Sequence, residues 1–434
     1  MLESEKTEDL LLIPKHPEKE WPKILNPRLK IDDTLLGFGS FVNSDLANWI
    51  ISPAELEFNS QIGQGSSATV FKGIFENQIV AIKVIHLESK NAEKQINDIK
   101  QEFAVMTSFL KLQQSSQEHF VKLFGVLTEP SLCLVMQYCG RGSLFHLLQK
   151  DNFEITWPLL FSWFKSTVKG IAALHSLKPP IVHRDIKTLN LLITDNYDIK
   201  LADFGLSRFF NKLNEAEAAT LTKLRGTYCY AAPELYFGAS YTPKSDVFSL
   251  SIVLWELATK CVTGKYSQPY SEFSFINFDF QIIIQVAKKG TRPTIPNRVP
   301  KHISKLINIL WSEKADDRPD TTKLLELLSV AESDYLAKTS EWDSLRDSES
   351  PLLLEARSVP TLNLQMLAHS NDIHSAPLTP THKNTLIIEQ CEPPKPQRVL
   401  ESKNKKPKPT QLASPRRGTK QPSEVLIEVP HKKL

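Results

Sequence analysis

The segment His183-Arg184-Asp185-Ile186-Lys187-Thr188-Leu189-Asn190, followed by Asp203-Phe204-Gly205, constrains this chain more than any other part of it. One carboxylate lies five residues before an amide, and a second follows that amide by thirteen. A carboxylate can act as base toward an attacking hydroxyl, while another carboxylate and an amide oxygen suit a hard cation. The set points to magnesium-assisted transfer of a phosphoryl group, and to a fold that gathers Asp185, Asn190 and Asp203.

Length and charge narrow the setting. A chain of 434 residues is too long for one ordinary domain and predicts two or three units. Its formal charge of +3 gives no ground for a nucleic-acid partner. No stretch reaches the ~18 apolar residues of a membrane span. Leu10-Leu11-Leu12-Ile13 is short and follows an acidic start, unlike a signal peptide. Leu2 does not suit myristoylation, and His431-Lys432-Lys433-Leu434 is not a prenylation box. The five cysteines are odd in number and form no CxxC pair, which predicts reduced thiols. These features predict a cytoplasmic protein without a membrane span.

Pro14, Pro17, Pro22 and Pro27 break any long helix, so residues 1–48 predict a loosely structured leader. The pattern changes at Trp49. Residues 56–58, 68–73, 79–85 and 132–136 are apolar or β-branched runs split by Gly and Asn, as in an antiparallel meander. Residues 90–112 are helical in composition, and periodic apolar residues run from Leu144 through Leu174. Later helices are predicted at 245–259, 280–288, 303–311 and 321–336. A strand-rich small lobe before a helix-rich larger lobe is an α+β organisation. Ser, Pro and Lys dominate residues 340–434, which predict a disordered tail.

In combination these segments resemble the eukaryotic protein-kinase domain, over roughly residues 56–331, and within it the tyrosine-kinase-like group of serine/threonine kinases. The resemblance implies a bilobal kinase domain at 49–335, N-lobe about 56–138 and C-lobe about 142–335, using ATP and Mg²⁺. Ile62, Gly63, Gln64, Gly65, Ser66, Ser67, Ala68, Thr69 and Val70 correspond to the glycine-rich loop. There the backbone approaches the phosphates because Gly has no Cβ; Ala68 stands where the family pattern has a third glycine. Lys83, 20 residues after Gly63, would hold the α- and β-phosphates. Its partner would be Glu102, since Phe103 and Met106 behind it would face inward; Glu93 and Asp98 are the alternatives. Met136 would be the gatekeeper, the main chain at Gln137 and Cys139 would bond adenine, and Ala81 and Leu192 would join the nucleotide site. Asp185 would be the catalytic base, Lys187 would neutralise the γ-phosphate, and Asn190 and Asp203 would hold Mg²⁺. His183 and Phe204 would pack with Met106 and Leu123 in an apolar column.

The Lys187-Thr188-Leu189-Asn190 form implies serine and threonine acceptors, with Thr227 bonding Asp185 and Lys187. Arg184 implies control through a phosphorylated residue, Thr220 or Thr222. Glu234 would pair with Arg318, and Asp246 would cap a helix and brace the catalytic loop. The aromatic stretch 260–278 is either a packed loop or a partner surface. In the tail, Pro393-Pro394-Lys395-Pro396-Gln397-Arg398 fits an SH3-type ligand. Lys403, Lys405, Lys406, Lys408, Arg416 and Arg417 form a basic patch that would suit a nuclear address or an acidic surface. Ser350, Thr379 and Ser414 each precede proline. The reading is a serine/threonine kinase acting on protein substrates. Its rivals are a pseudokinase scaffold, opposed by the presence of Lys83, Asp185, Asn190 and Asp203, and a small-molecule kinase, opposed by the segment 226–234.

Overall fold

A computed structural model describes residues 49–87, 92–128, 130–210 and 228–346. The leader 1–48, Thr220, Thr222, Gly226, Thr227, Cys391 and the tail features from Ser350 onward lie outside the described residues, as does the side chain of Glu93.

Strands β1 (Leu56–Gln64), β2 (Ala68–Phe75) and β3 (Gln78–Ile85) form an antiparallel meander. The β2–β3 turn is Glu76 and Asn77, at φ 48° and 61°. That left-handed pair matches the natural twist of a hairpin, and Asn tolerates it well. After helices α1 (Ala92–Ser108) and α2 (Gln114–Gln117), strands β4 (Leu123–Leu127) and β5 (Cys133–Gln137) complete a five-stranded sheet of order β1-β2-β3-β5-β4. The middle strand is β3. Its Val80, Ile82 and Val84 are buried with Phe71, Leu127 and Val135. Because successive residues alternate faces, Ala81 and Lys83 project from the other side.

The larger part holds α3 (Leu144–Leu148), α4 (Trp157–Ser176), β6 (Ile181–Val182), β7 (Leu191–Ile193), β8 (Ile199–Leu201), β9 (Arg208–Phe209), α5 (Pro233–Tyr236), α6 (Pro243–Thr263), α7 (Asp279–Lys289), α8 (Lys301–Leu310), α9 (Thr321–Ala337) and α10 (Thr339–Ser344). Two short antiparallel ladders, β6 with β9 and β7 with β8, set the loops between them side by side. Residues 245–262 of α6 are all buried. A helix covered on every side is the core around which the others pack.

Thr242 caps α6, Ser245 completes its capping box, Pro243 opens it, and Gly264 at φ 68° ends it. Asp246, expected to cap a helix, lies inside the first turn instead, with its carboxylate committed to the catalytic loop. On α8, Ile303, Leu306, Ile307 and Leu310 are the buried residues, a one-sided stripe at helical spacing. Beyond α9, Trp342 is buried with its ring edge-on to Trp157 at 5.1 Å. Trp157 Nε1 donates to the Trp342 carbonyl at 3.0 Å. No helix among the described residues is long and apolar enough to cross a membrane.

Candidate active site

The central strand delivers Lys83 to the helix beside it. Lys83 Nζ lies 2.7 Å from Glu102 Oε1 and 3.6 Å from Asp203 Oδ1. Glu102 is buried, as are Phe103 and Met106 on the same inward face of α1. Burial alone would pull the Lys83 ammonium down, but the Glu102 and Asp203 carboxylates outweigh it and raise its pKa. For Asp203, half-exposed at the cleft, partial loss of water pushes the carboxyl up, yet Lys83 and Lys187 bring it below its ordinary value. Asp98, the alternative partner, pairs instead with Arg208 of β9 at 3.1 Å.

A second cluster forms in the catalytic loop. Lys187 Nζ is 2.7 Å from Asp185 Oδ2, and Asn190 Nδ2 donates to both Asp185 O (2.9 Å) and Asp185 Oδ2 (2.8 Å). The Asn190 carbonyl oxygen is therefore turned away from Asp185. Ala202 N–H donates to Asn190 O at 3.0 Å, which joins this loop to the one carrying Asp203. Arg184 sits at φ 68°, a conformation that side chains with a Cβ resist. Asp246 offsets the strain: Arg184 N–H donates to Oδ1 and His183 N–H to Oδ2, each at 2.9 Å, while His175 Nε2 lies 2.9 Å from Oδ2.

His183 is fully buried, and burial pushes its pKa down, as fits a packing residue. Its ring meets Phe204 at 5.2 Å, Phe204 meets Phe109 at 4.9 Å, and Phe109 stacks on Phe120 at 4.2 Å. Met106 and Leu123 belong to the same core. Phe109 and Phe120 escaped the sequence reading, although Phe109 follows Met106 at helical spacing.

Of the expected nucleotide residues, Val70, Ala81 and Met136 fall on the face of Lys83. Val70 is opposite Lys83 in the β2–β3 ladder, and Ala81 is opposite Met136 in the β3–β5 ladder. Gly65 N–H donates to Ala68 O at 2.8 Å and closes the loop tip; Ser66 and Ser67 are exposed there, and so is Ile62. Thr69 behaves differently. It is buried with Oγ1 2.8 Å from His86 Nε2, so its side chain serves the lobe interior. Gln137 donates its N–H to Lys122 O, and Cys139 O accepts from Gly142. Directly after Cys139, Gly140 leaves no room for a side chain: a Cβ would sit 2.2 Å from Asp195 Oδ1. Ser143, just beyond, bridges Leu192.

Two polar networks hold the neighbouring segment. Arg318 grips Glu234 with both terminal nitrogens, at 2.9 and 2.8 Å, and also donates to Ser312 O, Lys244 O and Glu313 O. The other network was not foreseen. Glu256 Oε1 accepts from Thr188 Oγ1 (3.1 Å) and Tyr266 OH (3.0 Å), and Oε2 accepts from Tyr230 OH (2.8 Å). Burial pushes its carboxyl up to about 7. A lone carboxylate in the apolar run Ile252-Val253-Leu254-Trp255-Glu256-Leu257-Ala258 was the available signal. In the 260–278 stretch, Tyr270 is buried and Tyr266 reaches inward to Glu256, whereas Phe275 is exposed.

Among the described residues no three His, Cys, Asp or Glu side chains gather into a metal cage. Mg²⁺ bound with a nucleotide uses one or two protein oxygens and phosphate oxygens. The Asn190 side-chain oxygen Oδ1 and the half-exposed Asp203 carboxylate suit that mode.

The model of the protein kinase domain matches residues 56–328. Stress-activated protein kinase alpha of Dictyostelium discoideum is 44% identical over 296 residues, 68% of this chain and 45% of that protein. A probable serine/threonine-protein kinase of the same organism is 40% identical over 320 residues, 74% of this chain and 31% of the relative. A probable tyrosine-protein kinase from it is 31% identical over 325 residues, 70% of this chain and 88% of the relative. The chain thus spans less than half the length of the first two.

Proposed function

The chain belongs to the protein kinase family, and from that premise we propose that it transfers the γ-phosphoryl group of ATP to serine and threonine hydroxyls of proteins. The observation that carries the reading is the closure of both polar clusters. Lys83–Glu102–Asp203 and Asp185–Lys187–Asn190 each form direct contacts, and Ala202 joins them.

Lys83, fixed by Glu102, binds the α- and β-phosphates. Asn190 and Asp203 hold Mg²⁺, which when bound neutralises phosphate charge and aligns the transferring group. Asp185 orients the acceptor hydroxyl and takes its proton, its carboxylate fixed by Lys187 and Asn190. Lys187 offsets charge on the transferring group. The glycine-rich loop 62–70, with Ala81, Met136, the main chain of Gln137 and Cys139, and Leu192, forms the nucleotide site.

Serine and threonine specificity is supported by the Lys187-Thr188-Leu189-Asn190 form and by the relatives at 40–44% identity. Membership of the tyrosine-kinase-like group rests on the same motifs. The test is transfer from labelled ATP with Mg²⁺ to a generic protein acceptor, comparing wild type with Asp185→Asn. Label on serine or threonine that disappears in the variant is expected. Phosphotyrosine would refute the acceptor class. No transfer by folded, nucleotide-binding protein would refute the activity.

A further inference from the structure

The chain just ahead of β1 lies along the free edge of the sheet. Ile51 N–H donates to Val126 O at 2.9 Å, and Ile50 bridges Val126 in parallel. These residues precede the span matched by the kinase-domain model, which begins at residue 56. Gly125 makes the approach possible: a Cβ there would sit 2.5 Å from Trp49 O and 2.8 Å from Ile51 Cδ1. Held this way, the Trp49 ring stands edge-on to Phe103, with centroids 5.9 Å apart and planes at 89°. That is the attractive geometry for an aromatic pair. Phe103 is 1% exposed and adjoins Glu102, the residue that grips Lys83.

We propose that Trp49 is a positioning residue for phosphoryl transfer, seated by the Gly125 notch and holding Phe103 so that α1 keeps Glu102 on Lys83. Among the described residues, two ion pairs also bear on α1, Glu102 with Lys83 and Asp98 with Arg208. The second is half-exposed on the Asp98 side and so weakened by solvent and salt. The Trp49 contact is apolar and acts on the face next to Glu102. Its effect on rate rests on the kinase reading, whereas its effect on α1 does not.

The test uses the full chain and two readouts: backbone hydrogen exchange in α1 compared with α6, and the rate of transfer at saturating ATP. Trp49→Ala is expected to speed exchange in α1, leave α6 unchanged and lower the rate about tenfold, the scale of one aromatic edge contact. Trp49→Phe should restore most of both. Gly125→Ala should reproduce the defect by displacing the backbone of residue 49. Because Trp49 acts through Glu102, adding Trp49→Ala to Glu102→Gln should lower the rate by less than about twofold more.

Unchanged α1 exchange in folded Trp49→Ala overturns the proposal. So does full multiplication of the two rate effects. Equal loosening of α6 would mean that Trp49 serves general stability, which also overturns it. If wild type transfers no phosphoryl group, the kinase reading fails, and the exchange comparison still decides whether Trp49 holds α1.

Discussion

Replacing Glu256 by Gln is expected to remove a pH dependence of stability, so that the variant gains on wild type as pH rises from 5 to 8. Burial raises the Glu256 carboxyl from 4.5 to about 7. The folded protein therefore keeps a proton there up to about pH 7, while the unfolded chain releases it near the ordinary value. Between those limits the folded state binds the extra proton, so stability from this group falls as pH rises. At about 1.4 kcal/mol per pKa unit, the full loss is about 3 kcal/mol, of which about 2.5 kcal/mol falls between pH 5 and 8.

Gln is a fair copy of the protonated acid at this position. Its amide oxygen, at the place of Oε1, still accepts from Thr188 and Tyr266. Its nitrogen, at the place of Oε2, donates to Tyr230 OH, which turns its own proton to Thr188 Oγ1 at 3.1 Å. The second amide N–H has no acceptor in this network, a cost that does not change with pH, so the charge is removed and the test lies in the pH dependence of the difference. Urea unfolding of both proteins at pH 5, 6, 7 and 8 gives the difference directly. Glu256→Gln should gain on wild type as pH rises, by about 2.5 kcal/mol over the series. A difference that stays flat, or that moves in favour of wild type at high pH, would refute the assignment of a neutral buried carboxyl.

Removing the buried Arg318 guanidinium leaves the part-buried Glu234 with only the Ser245 hydroxyl and strands three carbonyls, so Arg318→Ala is expected to cost about 3 kcal/mol in denaturant unfolding; a loss below about 1 kcal/mol would contradict the anchoring role of Arg318. Trp342→Ala empties the space beside Trp157, Phe161 and Tyr335, and should cost about 3–5 kcal/mol by the same assay. Asp98→Ala should cost less than about 1 kcal/mol, because the Asp98 side chain is half-exposed. A larger loss would mean that Arg208 depends on it for more than an ion pair.

The parts of the site that were legible in sequence are those where chemistry fixes residue type and spacing together. Asp185, Lys187 and Asn190 touch one another, Lys83 lies between Glu102 and Asp203, and Glu102 could be picked because the apolar residues behind it mark the inward face. Helix positions were legible for the same reason. The apolar period predicted 303–311 and 321–336, and the helices are Lys301–Leu310 and Thr321–Ala337. What sequence did not give is partner choice across long separations. Glu256 meets Thr188, 68 residues away, and Trp157 meets Trp342, 185 residues away. No local period encodes such pairs, and Phe120 joins the aromatic column from a loop with no period at all. The cap of α6 was misplaced for the same reason: the sequence reading put it at Asp246, whereas Thr242 caps the helix and Asp246 accepts from His183 and Arg184, 63 and 62 residues away.

The polar long-range contacts around the catalytic loop share a template. Asp246, Ser249 and Glu256 lie on α6, and at 100° per residue they fall within about 80° of arc. Asp246 holds the start of the catalytic loop at His183 and Arg184, Ser249 Oγ donates to Tyr230 O at 2.8 Å, and Glu256 holds Thr188 and Tyr230. The catalytic loop and the segment leading to Pro233 are thus registered through one buried helix stripe as well as by the Thr188–Tyr230 contact. A small tilt of α6 carries both along and preserves the relation between Asp185 and that segment. Loss of the Glu256 oxygens does the opposite, since it leaves α6 in place and frees one of the two anchors on each side. Three donors around one buried carboxyl then do more than satisfy it: two of them tie the catalytic loop and the segment leading to Pro233 to the same helix.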